Sequence, residues 1–126
     1  MKIHWDIFTD VGGRFGKKNI SITANSGFGF SSGIFNDFKL KAFTHVILKY
    51  SQNQNFHFVG FEFISNAKTV GAIRLSKRGN FAQIGVHSFF KKYHLDPKKM
   101  KGSYPVEFED AAENSKRNLF IKVPMQ

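Results

Sequence analysis

Ser32-Gly33-Ile34-Phe35-Asn36-Asp37-Phe38-Lys39-Leu40 overlays His87-Ser88-Phe89-Phe90-Lys91-Lys92-Tyr93-His94-Leu95 without a gap, and the pairs Ile34/Phe89, Phe35/Phe90, Phe38/Tyr93 and Leu40/Leu95 set apolar on apolar. In the second run Val86, Phe89, Phe90 and Tyr93 have the i, i+3, i+4, i+7 spacing of one buried helical stripe, with Lys91 and Lys92 pointing away from it. In the first, Ile34, Phe35 and Phe38 share a face, Ser31 or Ser32 supplies a cap, and Leu40 ends the helix. The pattern predicts two short helices that are versions of one.

The flanks repeat as well. Before the first helix, Ile20-Ser21-Ile22-Thr23 alternates like a half-buried strand, Ala24-Asn25-Ser26-Gly27 signals a turn, and Phe28-Gly29-Phe30 resumes the alternation. Before the second helix, strand 71–75, turn 76–80 and strand 81–84 follow the same order, and with a two-residue insertion Ile20-Ser21-Ile22 overlays Ile73-Arg74-Leu75. Two further strands follow each helix, over 45–50 and 56–63 in the first half and over 104–109 and 118–123 in the second. The expected architecture is a mainly β, α+β single domain over residues 1–126. It uses a strand–turn–strand–helix–strand–strand unit twice, over about 19–63 and 72–123, as a barrel-like or two-sheet body with two short helices. Ahead of it, 3–8 reads as a short strand and 10–18 as a Gly-rich basic loop.

Composition narrows the function. A chain of 126 residues builds one core. It has no stretch near the roughly 20 apolar residues of a membrane helix and no signal-peptide run, so a cytoplasmic protein without membrane contact is expected. With no Cys, disulfides and thiolate metal sites are excluded. Phe accounts for 16 residues against one Trp and three Tyr, more rings than one core needs. On 55–63 they fall on both faces: Phe56, Phe58, Gly60 and Glu62 on one, His57, Val59, Phe61 and Phe63 on the other. Burial of both faces is the expectation there, with a stacking platform or a self-association surface as the alternatives.

Nineteen Lys and Arg against nine Asp and Glu leave a formal charge of +10, which favours a polyanionic partner, nucleic acid first. The cations cluster in turns and on helix faces, beside rings such as Phe15, Phe81 and Tyr93. The candidate nucleic-acid contacts are Arg14, Lys17, Lys18, Arg74, Lys77, Arg78, Lys91, Lys92, Lys98, Lys99 and Lys101. Charge tracks a phosphate backbone and rings accept any base.

The second half carries the fuller form of a known pattern: Arg74-Leu75-Ser76-Lys77-Arg78-Gly79-Asn80-Phe81-Ala82-Gln83-Ile84, then the helix ending Lys91-Lys92-Tyr93-His94-Leu95. Each half resembles the DNA-binding domain of the AbrB-like transition-state regulators and the related MazE-type antitoxin module, over roughly 19–123. The resemblance implies two hairpins interleaved into one barrel, normally from two chains and here from one, a role in transcription regulation, and Lys77 and Arg78 as DNA contacts at a protruding turn. This chain departs from the family in having Gln83-Ile84-Gly85 where an isoleucine–proline step usually opens the helix, and a longer second helix–strand loop.

The inventory for catalysis is thin, and no enzyme, cofactor or metal is expected. His87 and His94 lie seven apart on the second helix with no third ligand at spacing, and although the cluster Glu107, Glu109, Asp110 and Glu113 has the chemistry to bind a cation, alternation puts Glu107 and Glu109 on the solvent face of a hairpin, the simpler reading. Gly12-Gly13-Arg14-Phe15-Gly16-Lys17-Lys18 lacks the first Gly and the hydroxyl residue of a phosphate loop. Two readings stay open, a non-enzymatic nucleic-acid-binding protein and a basic protein–protein module, inhibitor or accessory factor, that grips an acidic partner. A homodimer stays open with either.

Overall fold

A computed structural model of the chain describes residues 2–6, 18–110 and 117–125. Arg14, Lys17, most of the Gly-rich loop and most of the turn before the last strand lie outside them. Residues 2–6 take no regular structure, so the strand expected at 3–8 is not seen where it is described.

Among the described residues, ten strands and three short helices follow in the order β1 (Asn19–Thr23), β2 (Gly27–Phe30), α1 (Ser32–Asp37), a 3-10 turn (Leu40–Ala42), β3 (His45–Gln52), β4 (Phe56–Ile64), β5 (Ile73–Arg74), β6 (Ser76–Arg78), β7 (Phe81–Gly85), α2 (His87–Lys92), α3 (Pro97–Met100), β8 (Gly102–Pro105), β9 (Glu107–Asp110) and β10 (Arg117–Pro124). They form two five-stranded antiparallel sheets, the first ordered β6-β7-β2-β1-β8 and the second β5-β3-β4-β10-β9. Both orders are palindromic at their centre. Hairpin lies beside hairpin in the first, and the long strand pairs lie side by side in the second. The mainly β, α+β class is as expected.

Of the two expected forms, barrel-like or two-sheet, the two-sheet body is the one found, and the sheets are not closed into a barrel: Leu75 separates β5 in the second sheet from β6 in the first, and Val106 separates β8 in the first from β9 in the second. At each corner the chain changes sheet and the ladder breaks, as corners of stacked sheets do. The breaks are still satisfied, since Leu75 N–H donates to Thr44 O at 2.9 Å and Val106 N–H to Lys18 O at 3.2 Å.

Alternation explains the core. Ile20, Ile22, Phe28, Phe30, Ala82 and Ile84 project from the first sheet toward Val46, Val59, Phe61, Leu119, Ile121 and Val123 of the second, and all are buried. Phe61 meets Phe28 edge-on at 5.2 Å and Phe30 at 5.4 Å. Each such Val, Leu, Ile or Phe side chain contributes about 1.5–3 kcal/mol. On either side of Phe28 β2 carries glycine, because a Cβ on Gly27 would sit 2.5 Å from Ile84 O and one on Gly29 2.8 Å from Ser21 Oγ.

The helices close the ends, and the gapless overlay extends to their backbone. In α1, Phe38 N–H donates to Ile34 O and Lys39 N–H to Asn36 O; in α2, Tyr93 N–H donates to Phe89 O and His94 N–H to Lys91 O. A left-handed residue follows, Lys39 at φ 52° and His94 at φ 56°, and then buried Leu40 and Leu95. His94 thus lies past the helix and not on one face with His87. The α2 stripe is only partly buried, for Val86 and Phe90 are enclosed while Phe89 and Tyr93 pack half-exposed against Tyr50 at the rim. The longer loop expected between the second helix and its following strand contains α3, where Asp96 accepts from Lys98 N–H at 3.0 Å and Pro97 opens the first turn.

Candidate nucleic-acid interface

The cations gather at the two corners where the chain changes sheet. At the first, Arg74 lies directly opposite His45 on the β3–β5 edge, and since neighbouring Val46 points into the core, both project outward. Thr44 Oγ1 and His45 Nδ1 are hydrogen-bonded at 2.7 Å. On β6, Lys77 lies opposite buried Ala82 and turns inward, while Arg78 lies opposite Phe81 and turns out to solvent. Thr44, His45, Ser65, Arg74 and Lys77 line a groove of about 440 Å³. Lys92 lines the adjoining groove, with Ile73 and Phe89. The strand from Ala72 to Lys77 therefore borders both.

Lys77 is not the tip of a turn. Residues 76–78 are strand, and the hairpin tip is Gly79-Asn80, with Gly79 at φ 55°. The Lys77 ammonium donates to Phe43 O and, at 3.2 Å, to Lys41 O. These carbonyls bracket the end of the 3-10 turn, where no helical donor remains to meet them. Lys77 thus joins the edge of the first sheet to the segment after α1.

At the second corner, Lys18 precedes β1 and pairs with Asp37 at 2.5 Å, Lys98 and Lys99 are exposed on α3, which packs on β1, and exposed Lys101 leads into β8. Lys91 is exposed on α2, and Lys92 Nζ stands 5.5 Å from the Tyr93 ring centre. Among the described residues no carboxylate pairs with Arg74, Arg78, Lys91, Lys98 or Lys101.

A third feature lies on the outer face of the second sheet. Alternation on β10 sends Leu119, Ile121 and Val123 inward and Phe120 and Lys122 outward, beside Phe56 and Phe58 of β4. All three Phe are half-buried, so this face is less covered than the expected two-sided burial. The ring centres of Phe58 and Phe120 are 6.0 Å apart and those of Phe56 and Phe58 6.2 Å. Lys122 Nζ stands 5.1 Å from the centre of Phe56 and 3.4 Å from Glu107. Phe120 and Lys122 escaped the sequence reading, although the alternation of β10 carries the signal.

Titratable groups meet at one further point, the rim of the core. The Tyr50 hydroxyl hydrogen-bonds His57 Nδ1 at 2.7 Å and lies 3.2 Å from Gln52 Oε1. Burial holds the His57 pKa below the ordinary histidine value, and burial together with Tyr93 raises that of Tyr50. Among the described residues no three metal-ligating side chains converge. Comparison with protein-family models, with curated proteins and with solved structures finds no match.

Proposed function

We propose that the protein is a non-enzymatic nucleic-acid-binding protein that takes DNA in preference to RNA and acts in the cytoplasm as a transcription regulator. The observation that carries this is the set Arg74, Arg78, Lys91, Lys98 and Lys101, with which no carboxylate pairs among the described residues, on a chain of formal charge +10. A surface of that kind releases condensed counterions from a phosphate backbone. The palindromic strand orders and the matched ends of α1 and α2 support reading the chain as one duplicated unit, a single-chain form of the interleaved-hairpin pairing of the AbrB-like domain.

Titration of labelled duplex and single-stranded DNA at several salt concentrations tests the proposal. Affinity should fall steeply with salt, and the double variant Arg74→Ala, Arg78→Ala should flatten the log-affinity against log-salt line by up to about two phosphate contacts' worth, with the melting temperature nearly unchanged. Lys77 is left in place because its removal would strip the Phe43 and Lys41 carbonyls of their donor. Absence of binding by the unmodified protein at low salt would overturn the proposal and bring forward an acidic protein partner.

A further inference from the structure

We propose that the outer face of the second sheet is a stacking platform for the bases of single-stranded DNA, centred on the notch over Gly60 between Phe58 and Phe120. The proposal rests on the nucleic-acid reading above and adds to it the form of the strand and the place where its bases lie.

Strand register makes the notch. Gly60 faces Lys49 across one ladder and Phe120 across the other, while Phe58, two residues before it on β4, faces Ser51 and Lys122. The missing side chain opens a cavity of about 360 Å³, floored by backbone and walled by Phe58, Phe120 and Lys49. That volume is near the lower end of small-ligand sites, about 300–1,000 Å³. The fold resists a side chain less here than at Gly27. A Cβ on Gly60 would meet Lys49 Cβ at 3.3 Å, a tight contact relieved by a shift of a few tenths of an ångström, whereas one on Gly27 would stand 2.5 Å from a carbonyl oxygen. Glycine in the interior of a strand weakens it and marks places where another group approaches closely.

The chemistry around the notch suits an unpaired nucleotide. Half-exposed rings in mutual contact offer apolar surface to any base face. Lys49 has no carboxylate partner among the described residues, and the Lys122–Glu107 pair is open to solvent, its side chains 40% and 41% exposed, so a phosphate can replace the glutamate at little cost. The outward row of β3 runs from Ser51 through Lys49 and Ile47 to His45, beside Arg74, so one sheet face joins the rings to the first basic corner over about 13 Å from Lys49 to His45. Bases stacked on one another inside a duplex cannot reach such a surface. The phenyl rings have no donor or acceptor for a 2′-hydroxyl, so the platform gives RNA no advantage over DNA.

Fluorescence anisotropy with labelled oligothymidylate, a duplex of equal length and oligouridylate tests this. The single-stranded DNA should bind most tightly. Phe58→Ala and Phe120→Ala should each weaken it about 5- to 150-fold, the effect of losing one stacked base, and leave the salt slope unchanged because no cation is removed. Gly60→Leu, which fills the notch and removes no ring, should weaken oligothymidylate at least about fivefold while the protein still melts cooperatively, so a loss of fold in the Phe variants leaves the test intact. Oligothymidylate binding unchanged in Gly60→Leu, or duplex or oligouridylate preferred, overturns the platform and leaves the nucleic-acid reading standing. No binding to any of the three at low salt overturns both.

Discussion

Outward from the shared core, the first sheet presents Ser21, Thr23, Gly27, Gly29, Gly85 and Ser103, whereas the second presents Ile47, Lys49, Phe56, Phe58, Phe120 and Lys122. Each face contains glycine, and the residue means opposite things. Beside Gly27 the Ile84 carbonyl occupies the place of a side chain, and over Gly29 the Phe81 ring would lie 3.2 Å from a Cβ. There glycine admits close packing of the protein against itself. On the second sheet Gly60 leaves space that the fold does not use. Composition alone does not separate a glycine that closes a surface from one that opens it; the atoms opposite it do.

The sharpest contrast is between rings on the two sides of these sheets. Phe28, fully buried against Phe61, Phe89 and Phe90, should cost about 3–5 kcal/mol when changed to Ala. Phe58→Ala should cost less, because its ring is already partly exposed to water. Denaturant titration of both variants measures the difference, and equal costs would mean that the outer rings are core.

The glycines come next. Gly27→Ala forces β2 away from β7 and should lose about 1–3 kcal/mol, the range of overpacked sites. Gly60→Ala should stay within about 0.5 kcal/mol. Thermal melts that rank the pair in the other order would break the comparison.

The smallest effect is one of pH, on the inner side of the second sheet. Because the folded protein holds the His57 pKa below 6.5, the unfolded chain takes up the proton first as pH falls. The stability from neutral His57 is therefore complete above about pH 6.5 and declines below it. Tyr50, raised in the fold, acts at the other end, where stability falls as pH rises past about 10. Melting curves across pH 5–8 should lose part of their acid slope in His57→Gln, and an unchanged slope would place the titrating group elsewhere.

Much of this was legible in the residues. Ile20 and Ile22, the Phe-Gly alternation of β2, both helices and the two faces of β4 are local patterns, and local patterns set these elements. The third helix was legible too, since Asp96 followed by Pro97 is a helix start, but the adjacent lysines read as a loop. What could not be read is what depends on pairing between distant strands. Lys77 reads as a turn cation until β6 is aligned with β7 and its side chain turns inward to Phe43. The breaks at Leu75 and Val106 arise where two sheets meet, which no alternation within one strand records. For the same reason Phe120 joins Phe58 only through the register of β10 on β4.

That long-range pairing also sets a timetable for folding. Phe28 pairs with Ile84, Ile22 with Gly102 and Val59 with Ile121, so each sheet draws its central strands from both ends of the chain. When only the first half has left the ribosome, β1, β2, β3 and β4 each have one side whose partner is not yet made. Such exposed edges invite aggregation until the second half arrives. Refolding of the whole chain belongs on the slow scale of sheets built from distant pairs, about milliseconds to seconds, and β10, an interior strand of the second sheet, is made after the other nine.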